Sequence, residues 1–261
     1  MPLTISHPAV TIPFARRGLV LSAVIIGSLT PDYPYFIPFL HKSGFSHSFS
    51  GLFFFCLPWG LVSLLAFHFF LKSPALSLFP ISHQKRLYKK AKGFAFFPLR
   101  RFLLIAFSIL FGAFTHLIWD SFTHPGTWVV QNFAFFKIVL FRFDSYPVQV
   151  YKILQHGSTL TGGVFLIYWY FRWYKDAIEF SLPEKIIMRT STKFILFMSM
   201  SFIALLSGIS TALTDISSAQ PSTYYPMLLG HIFIVGLSIF ILELAIFGIY
   251  WHFKNLGKTT S

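Results

Sequence analysis

The stretch from Phe102 to Gly126, FLLIAFSILFGAFTHLIWDSFTHPG, decides how the rest of the chain is read. Its first part is apolar, carries no charge and is close to the ~20 residues that a helix needs to cross a bilayer. His116, Asp120 and His124 then recur every fourth residue at the end of that run. An acid at the edge of a membrane span is costly unless paired or liganded, which makes Asp120 a functional candidate. Residues four apart share one face of a helix, so His116 and Asp120 can point at a common atom. Pro125 disfavours helical geometry at the residue before it, so His124 is expected at or past the helix end, free to fold back. Imidazole with carboxylate suits zinc or a similar borderline divalent ion.

Composition extends the membrane reading to the whole chain. Of 261 residues, 55% are hydrophobic, 20% aromatic and only 11% charged, with a mean hydropathy of +0.66. Soluble domains carry roughly 25% charged residues. Thirty-five phenylalanines exceed what a soluble protein of this size could bury. The net charge of +13 is not read as a nucleic-acid signal, because the basic residues fall in short blocks between apolar runs. Cys56 lies in an apolar run and is read as packing. The first residues, MPLTISHPAV, are not read as a cleaved signal peptide.

The expected fold is a single all-α domain over residues 1–261, a polytopic membrane helix bundle of about six spans. The spans run from Gly18 to Leu29, Phe49 to Leu71, Phe102 to Trp119, Gly157 to Trp173, Phe194 to Leu213 and Met227 to Trp251. The first and fourth are short. Between the third and fourth spans, Pro125 to Gln155 is apolar but broken by Gln131, Asn132 and Lys137, so a re-entrant or interfacial element is expected there. Lys72, Lys85, Arg86, Lys89, Lys90, Lys92, Arg100 and Arg101 crowd the connection between the second and third spans. Lys175, Lys185, Arg189 and Lys193 follow the fourth, Lys254 and Lys258 the sixth, and Arg16 and Arg17 precede the first. The positive-inside rule makes that side cytoplasmic, with both termini inside. Trp128, Trp169, Trp173 and Trp251 fit an aromatic belt.

On this map Asp32, His47, His116, Asp120, His124 and His156 all gather at the outer face. Each has a structural explanation when taken alone. Asp120 could cap a helix end, and His47 stands between Ser46 and Ser48, themselves plausible caps. Pro31-Asp32 could be a turn, and His156-Gly157-Ser158 a loop leading into a helix. Taken jointly they are better explained by a metal site. His68, His83, His252 and His41 are assigned to the interface, the basic loop, the tail and a solvated loop. His231 is a minor candidate. Asp215 ends the fifth span, and Glu243 lies deep in the sixth, where pairing inside the bundle is expected.

The order SHPAV, PDYPYF, GFSHSFSG, HLIWDSFTHPG and LQHGSTLTG resembles the bacterial membrane family known as domain of unknown function 4184. It is more distantly similar to inner-membrane metal-dependent hydrolases of the domain of unknown function 457 type. The motifs cover about residues 1–175. The resemblance implies metal-binding roles for Asp32, His47, His116 and Asp120, and adds His7. The distant relatives read Pro-Asp-x-Asp-His where Pro31-Asp32-Tyr33-Pro34-Tyr35 keeps only the first acid, so it does not carry a second metal over to this chain. An inside N-terminus puts His7 on the wrong side unless the first ~12 residues form a re-entrant piece turning near Pro13 to Arg17.

The function expected is a membrane-embedded, metal-dependent hydrolase acting on a lipid or lipid-linked ester or phosphoester at the extracytoplasmic face of a bacterial inner membrane. Its cofactor would be a divalent metal, zinc by ligand type, and its partners membrane lipids, with no nucleic acid. His124 or His156 would be general acid or base. The alternative is a metal-ion or proton transport protein in which Glu243 and Asp215 matter equally. Ion flux in liposomes separates the two.

Overall fold

The computed structural model describes residues 4–37, 40, 44–143, 146–215 and 221–256, with backbone alone at 5, 143, 146, 185, 215 and 221–227. The chain is mostly helical. Among the described residues four helical segments are long and apolar enough to cross a membrane: Phe49–Leu78, Leu99–Asn132, Thr190–Thr214 and Leu228–Asn255. Contacts within the chain form two compact units, residues 1–64 with 95–173, and 65–94 with 174–261.

The first unit is built around a short helical hairpin. Helix α1 (Pro8–Ala15) and helix α2 (Leu21–Leu29) pack against each other. Gly18, at φ +109°, lies in the turn between them, a backbone conformation that a side chain would strain. At nine residues α2 is roughly 14 Å long, less than half of what a bilayer core requires. The expected first span is therefore half of a hairpin. After α2 the chain tightens into a 3₁₀ turn, Thr30–Asp32, and a further helical turn, Tyr33–Phe36.

Helix α3 (Phe49–Leu78) opens at Ser48, whose side chain accepts a hydrogen bond from the Gly51 amide. It widens into π-helical turns at Leu52–Cys56 and Ala66–Leu71, each just before a proline (Pro58, Pro74) that cannot continue the regular hydrogen-bond ladder. Helix α4 (Ile81–Ala91) carries much of the basic connection. Helix α5 (Leu99–Thr123) is the stretch the sequence reading began from. It stops where Pro125 requires, with His124 extended at φ −117° and ψ 136°.

Helix α2 lies against α5 at backbone distance. A Cβ on Gly27 would stand 2.1 Å from the Ile109 carbonyl oxygen, and one on Gly112 would stand 2.2 Å from that of Val24. Ala23, Val24, Ile105, Ile109 and Ala113 are buried around this contact. The Val20 amide donates to Ser108 Oγ at 3.1 Å across it. Small residues are how helices approach closely where lipid offers no hydrophobic drive.

The segment expected to be re-entrant or interfacial contains a short helix α6 (Trp128–Asn132), a 3₁₀ turn at Ala134–Lys137 and a β-hairpin. Strands β1 (Val139–Phe143) and β2 (Tyr146–Gln149) pair antiparallel, with Val139 opposite Gln149 and an irregularity before Phe141. The all-α expectation missed this hairpin. Helix α7 (Val150–Asp176) contains the expected fourth span but carries more polar residues than the four apolar segments. Trp119 Nε1 of α5 donates to Ser158 Oγ of α7 at 3.1 Å.

In the second unit, helix α8 (Thr190–Asp215) and helix α9 (Pro221–Asn255) pack closely, Gly208 meeting the Ile232 backbone. Leu76, Ile186, Phe247 and Trp251 form a buried apolar cluster. Arg86 and Lys85 of α4 pair with Glu179, an exposed arrangement that contributes little to stability.

Candidate metal centre

Three segments of the first unit deliver four polar side chains to one point. Asp32 ends the 3₁₀ turn after α2, and His47 ends another, Gly44–His47, just before α3. His116 and Asp120 stand one turn apart on α5. Their donor atoms, one from each residue, all lie within 4.8 Å of one another. His116 is wholly buried, and Asp32 and Asp120 are only 2% and 8% exposed.

The four imidazole–carboxylate distances are close to the edges of a coordination tetrahedron. His116 Nε2 lies 3.2 Å from Asp120 Oδ2 and 3.6 Å from Asp32 Oδ1. His47 Nε2 lies 3.2 Å from Asp32 Oδ1 and 3.7 Å from Asp120 Oδ2. Zinc bonds of ~2.0–2.2 Å set the edges of a tetrahedron at roughly 3.3–3.6 Å.

Tautomers favour the same reading. His116 Nδ1 is 2.8 Å from the Ser28 carbonyl, which can only accept, so Nδ1 carries the proton and Nε2 of the neutral ring presents a lone pair. Two acceptors at 3.2 Å would otherwise repel. His116 Nε2, His7 Nε2 and Asp120 Oδ1 are all buried with no hydrogen-bond partner among the described residues. Buried polar atoms left in that state are costly, and a cation between them removes the cost. The residues present therefore fit a divalent ion.

Neighbours hold the ligands in place. Thr4 Oγ1 donates to Asp32 Oδ2 at 2.6 Å. Burial opposes ionisation of Asp32, but the His47 contact, the His116 charge and the Thr4 hydroxyl outweigh it and keep the carboxyl well below the usual carboxylate range. Ser46 Oγ meets His47 Nδ1 at 3.1 Å, and the Cys56 thiol donates to the Ser46 carbonyl at 3.5 Å, so this cysteine is structural. Partners of this kind typically change metal affinity by about 10- to 100-fold. Thr4→Val should weaken zinc binding by roughly that factor while leaving the folded protein intact, measured by competition with a chromophoric chelator.

His7 joins the cluster because the α1–α2 hairpin returns the chain to its own start. Its ring stacks on His116, with centroids 3.8 Å apart and planes at 19°, and its Nε2 lies 3.6 Å from Asp120 Oδ1. Burial, and then the neighbouring His116, push its pKa down to about 4, so the ring is neutral, the form that binds metals. His124 stands at the end of α5 with Nδ1 3.5 Å from Asp120 Oδ1.

His156 does not enter the group. It is exposed on α7, while Gln155, one residue and about 100° around the helix, is buried. In the second unit, His68 stacks on Phe94 and contacts Lys72 Nζ, His83 packs on Tyr174, and His252 Nε2 meets the Phe70 carbonyl. Glu243 lies on α9 with Oε2 buried and without a hydrogen bond among the described residues. His41 lies outside the described residues, as does the Asp215 side chain.

A cavity of about 570 Å³ opens on the cluster, with Tyr35, His47, Leu117, Asp120, His124 and Trp128 in its wall. Sequence reasoning did not nominate Thr4, Tyr35 or the Ser28 carbonyl. Only Thr4 left a signal, standing three residues before His7, one 3₁₀ turn away.

No curated protein and no solved structure matches this chain. The family model described as Domain of unknown function (DUF4184) matches residues 1–249, beyond the motif-bearing part and into the last helix, and the chain belongs to that family.

Proposed function

We propose that this protein is an integral-membrane, metal-dependent hydrolase. Asp32, His47, His116 and Asp120 hold a divalent ion, zinc by the chemistry of the donors, and the substrate is an ester or phosphoester in a lipid or lipid-linked molecule. The observation that carries this reading is the convergence of the Asp32, His47, His116 and Asp120 donors within 4.8 Å of one another, beside an open cavity. When bound, such an ion lowers the pKa of a coordinated water to about 7 and supplies hydroxide at neutral pH.

The chain's own residues orient and confine. The Ser28 carbonyl fixes the His116 tautomer, and the Thr4 hydroxyl fixes Asp32. Tyr35, Leu117 and Trp128 give the cavity an aromatic and apolar wall suited to part of a lipid. His124 stands in that wall with Nδ1 3.5 Å from Asp120 Oδ1, and is the imidazole that would move a proton there. His156 takes no part. The basic connections support an extracytoplasmic site in a bacterial inner membrane.

The test is hydrolysis by the full-length protein in proteoliposomes offered phospholipids and lipid-linked phosphates, with products read by mass spectrometry. Product formation should stop after chelator treatment and return on adding zinc. Metal-loaded protein that cleaves none of these, or cleavage that persists once the metal has been shown to be gone, rejects the proposal.

A further inference from the structure

Helix α7 meets the start of the chain closely at Gly162, where a Cβ would stand 3.1 Å from Ser6 Cβ and 3.6 Å from Ala9 Cβ. From that contact α1 and α7 both run toward arginines, and together they line a second cavity of about 570 Å³. Phe165, Tyr168, Trp169 and Arg172 line it from α7, spaced i, i+3, i+4 and i+7 along one helical stripe. Ile12, Arg16 and Arg17 line it from α1 and the turn that follows. We propose that this cavity binds an anionic phospholipid, with the guanidinium groups of Arg16, Arg17 and Arg172 taking the headgroup phosphate and the aromatic stripe taking the start of an acyl chain.

Each arginine alone would pass for an interfacial anchor. Anchoring does not require three of them around one cavity, where like charges raise one another's energy. No carboxylate among the described residues lines the cavity to offset them. A bound anion does, and the guanidinium fork matches phosphate oxygens in pairs. Arg172 Nη1 donates to the Tyr168 hydroxyl at 3.0 Å, which ties that fork to the aromatic stripe. Arg16 and Arg17 are exposed, so a headgroup reaches them without displacing any packing. Phe165, Trp169 and Ile12 add apolar wall that a free phosphate would not use, so the ligand carries a chain.

By the positive-inside rule this end of α1 and α7 faces the cytoplasmic leaflet, where basic pockets between helices attract anionic headgroups. The cavity shares no lining residue with the one at the metal centre, so its lipid is held and not cleaved.

Native mass spectrometry of the full-length protein in detergent, titrated with phosphatidylglycerol or with phosphatidylcholine of the same chains, tests this. Wild type should bind its first phosphatidylglycerol at least about tenfold more tightly, since each basic residue at an anionic headgroup contributes about fivefold. Arg16→Gln, Arg17→Gln and Arg172→Gln should each weaken that binding by roughly this fivefold step. A triple variant, Lys89→Gln with Lys90→Gln and Lys92→Gln, removes three charges at the end of α4 and should bind as wild type does. Equal affinity of wild type for the two lipids overturns the proposal whatever the variants do. An equal loss in the α4 variant also overturns it, because net charge would then explain the preference. Inorganic phosphate that displaces the lipid at matching concentration overturns the lipid as occupant and leaves a soluble phosphate in its place.

Discussion

Asp120→Ala empties the centre instead of weakening it. The approaches of His7, His47, His116 and His124 to this carboxylate disappear with the side chain, and Asp32 alone remains to balance the charge of a bound ion. Loss of an outer partner typically lowers metal affinity about 10- to 100-fold, and loss of a direct ligand costs more. Elemental analysis after gel filtration should find less than about a tenth of the wild-type metal, on the basis of that scale. Asp120→Asn, which keeps the shape and removes the charge, should behave nearly as badly. Full metal retention in Asp120→Ala would show that the donors gather for another reason.

The second large effect is expected ~10 Å from the ligands, about two turns down α5 from Asp120. Gly112→Ala puts a methyl group 2.2 Å from the Val24 carbonyl and 2.7 Å from the Ser28 amide nitrogen, so α2 must move. Overpacking of this kind costs about 1–3 kcal/mol in ordinary cores. Here the shift also carries away the Ser28 carbonyl that orients His116 and the Asp32 turn that follows it. Both the thermal midpoint in detergent and the metal content should fall. Gly163→Ala on α7, where a Cβ meets nothing within 4 Å, is the control and should be neutral or slightly stabilising. Equal behaviour of the two variants would mean that the α2–α5 approach does not position the site.

His116 and Asp120 were legible because the helical repeat is local: four residues make one face whatever surrounds them. Asp32 and His47 were nominated by threading alternate spans to a common side, but α2 is too short to be such a span, and it is the α1–α2 hairpin that delivers Asp32. His7 was out of reach of that logic. Helices of eight and nine residues fall below any span criterion, and the turn at Gly18 that reverses the chain sits beside Arg16 and Arg17, which look like an ordinary cytoplasmic anchor. The family resemblance supplied the residue, and the hairpin explains how it arrives.

Two other misses have physical causes. His156 and Gln155 are adjacent, and without an independent anchor for the phase of α7 the sequence could not say which faces inward. The β1–β2 hairpin was hidden because Val139-Leu-Phe-Arg-Phe143 does not alternate apolar with polar and is not followed by an Asn-Gly or Asp-Gly turn. About six spans were expected, and among the described residues four segments are long and apolar enough to cross a membrane. Alpha2 is too short, and α7 carries Gln155, His156 and a run of hydroxyl residues that dilute its hydropathy.

The Gly27–Gly112 approach has a thermodynamic consequence for the ion. Ser28 and His116 are 88 residues apart in sequence, and a cation clamping that distance in a loose chain would first have to bear the entropy of closing so large a loop. The interlocked helix backbones hold it closed without help from a ligand bond. Affinity then depends on how rigidly two glycines keep the clasp shut, and selection acting on metal retention will be felt at positions that never touch the metal.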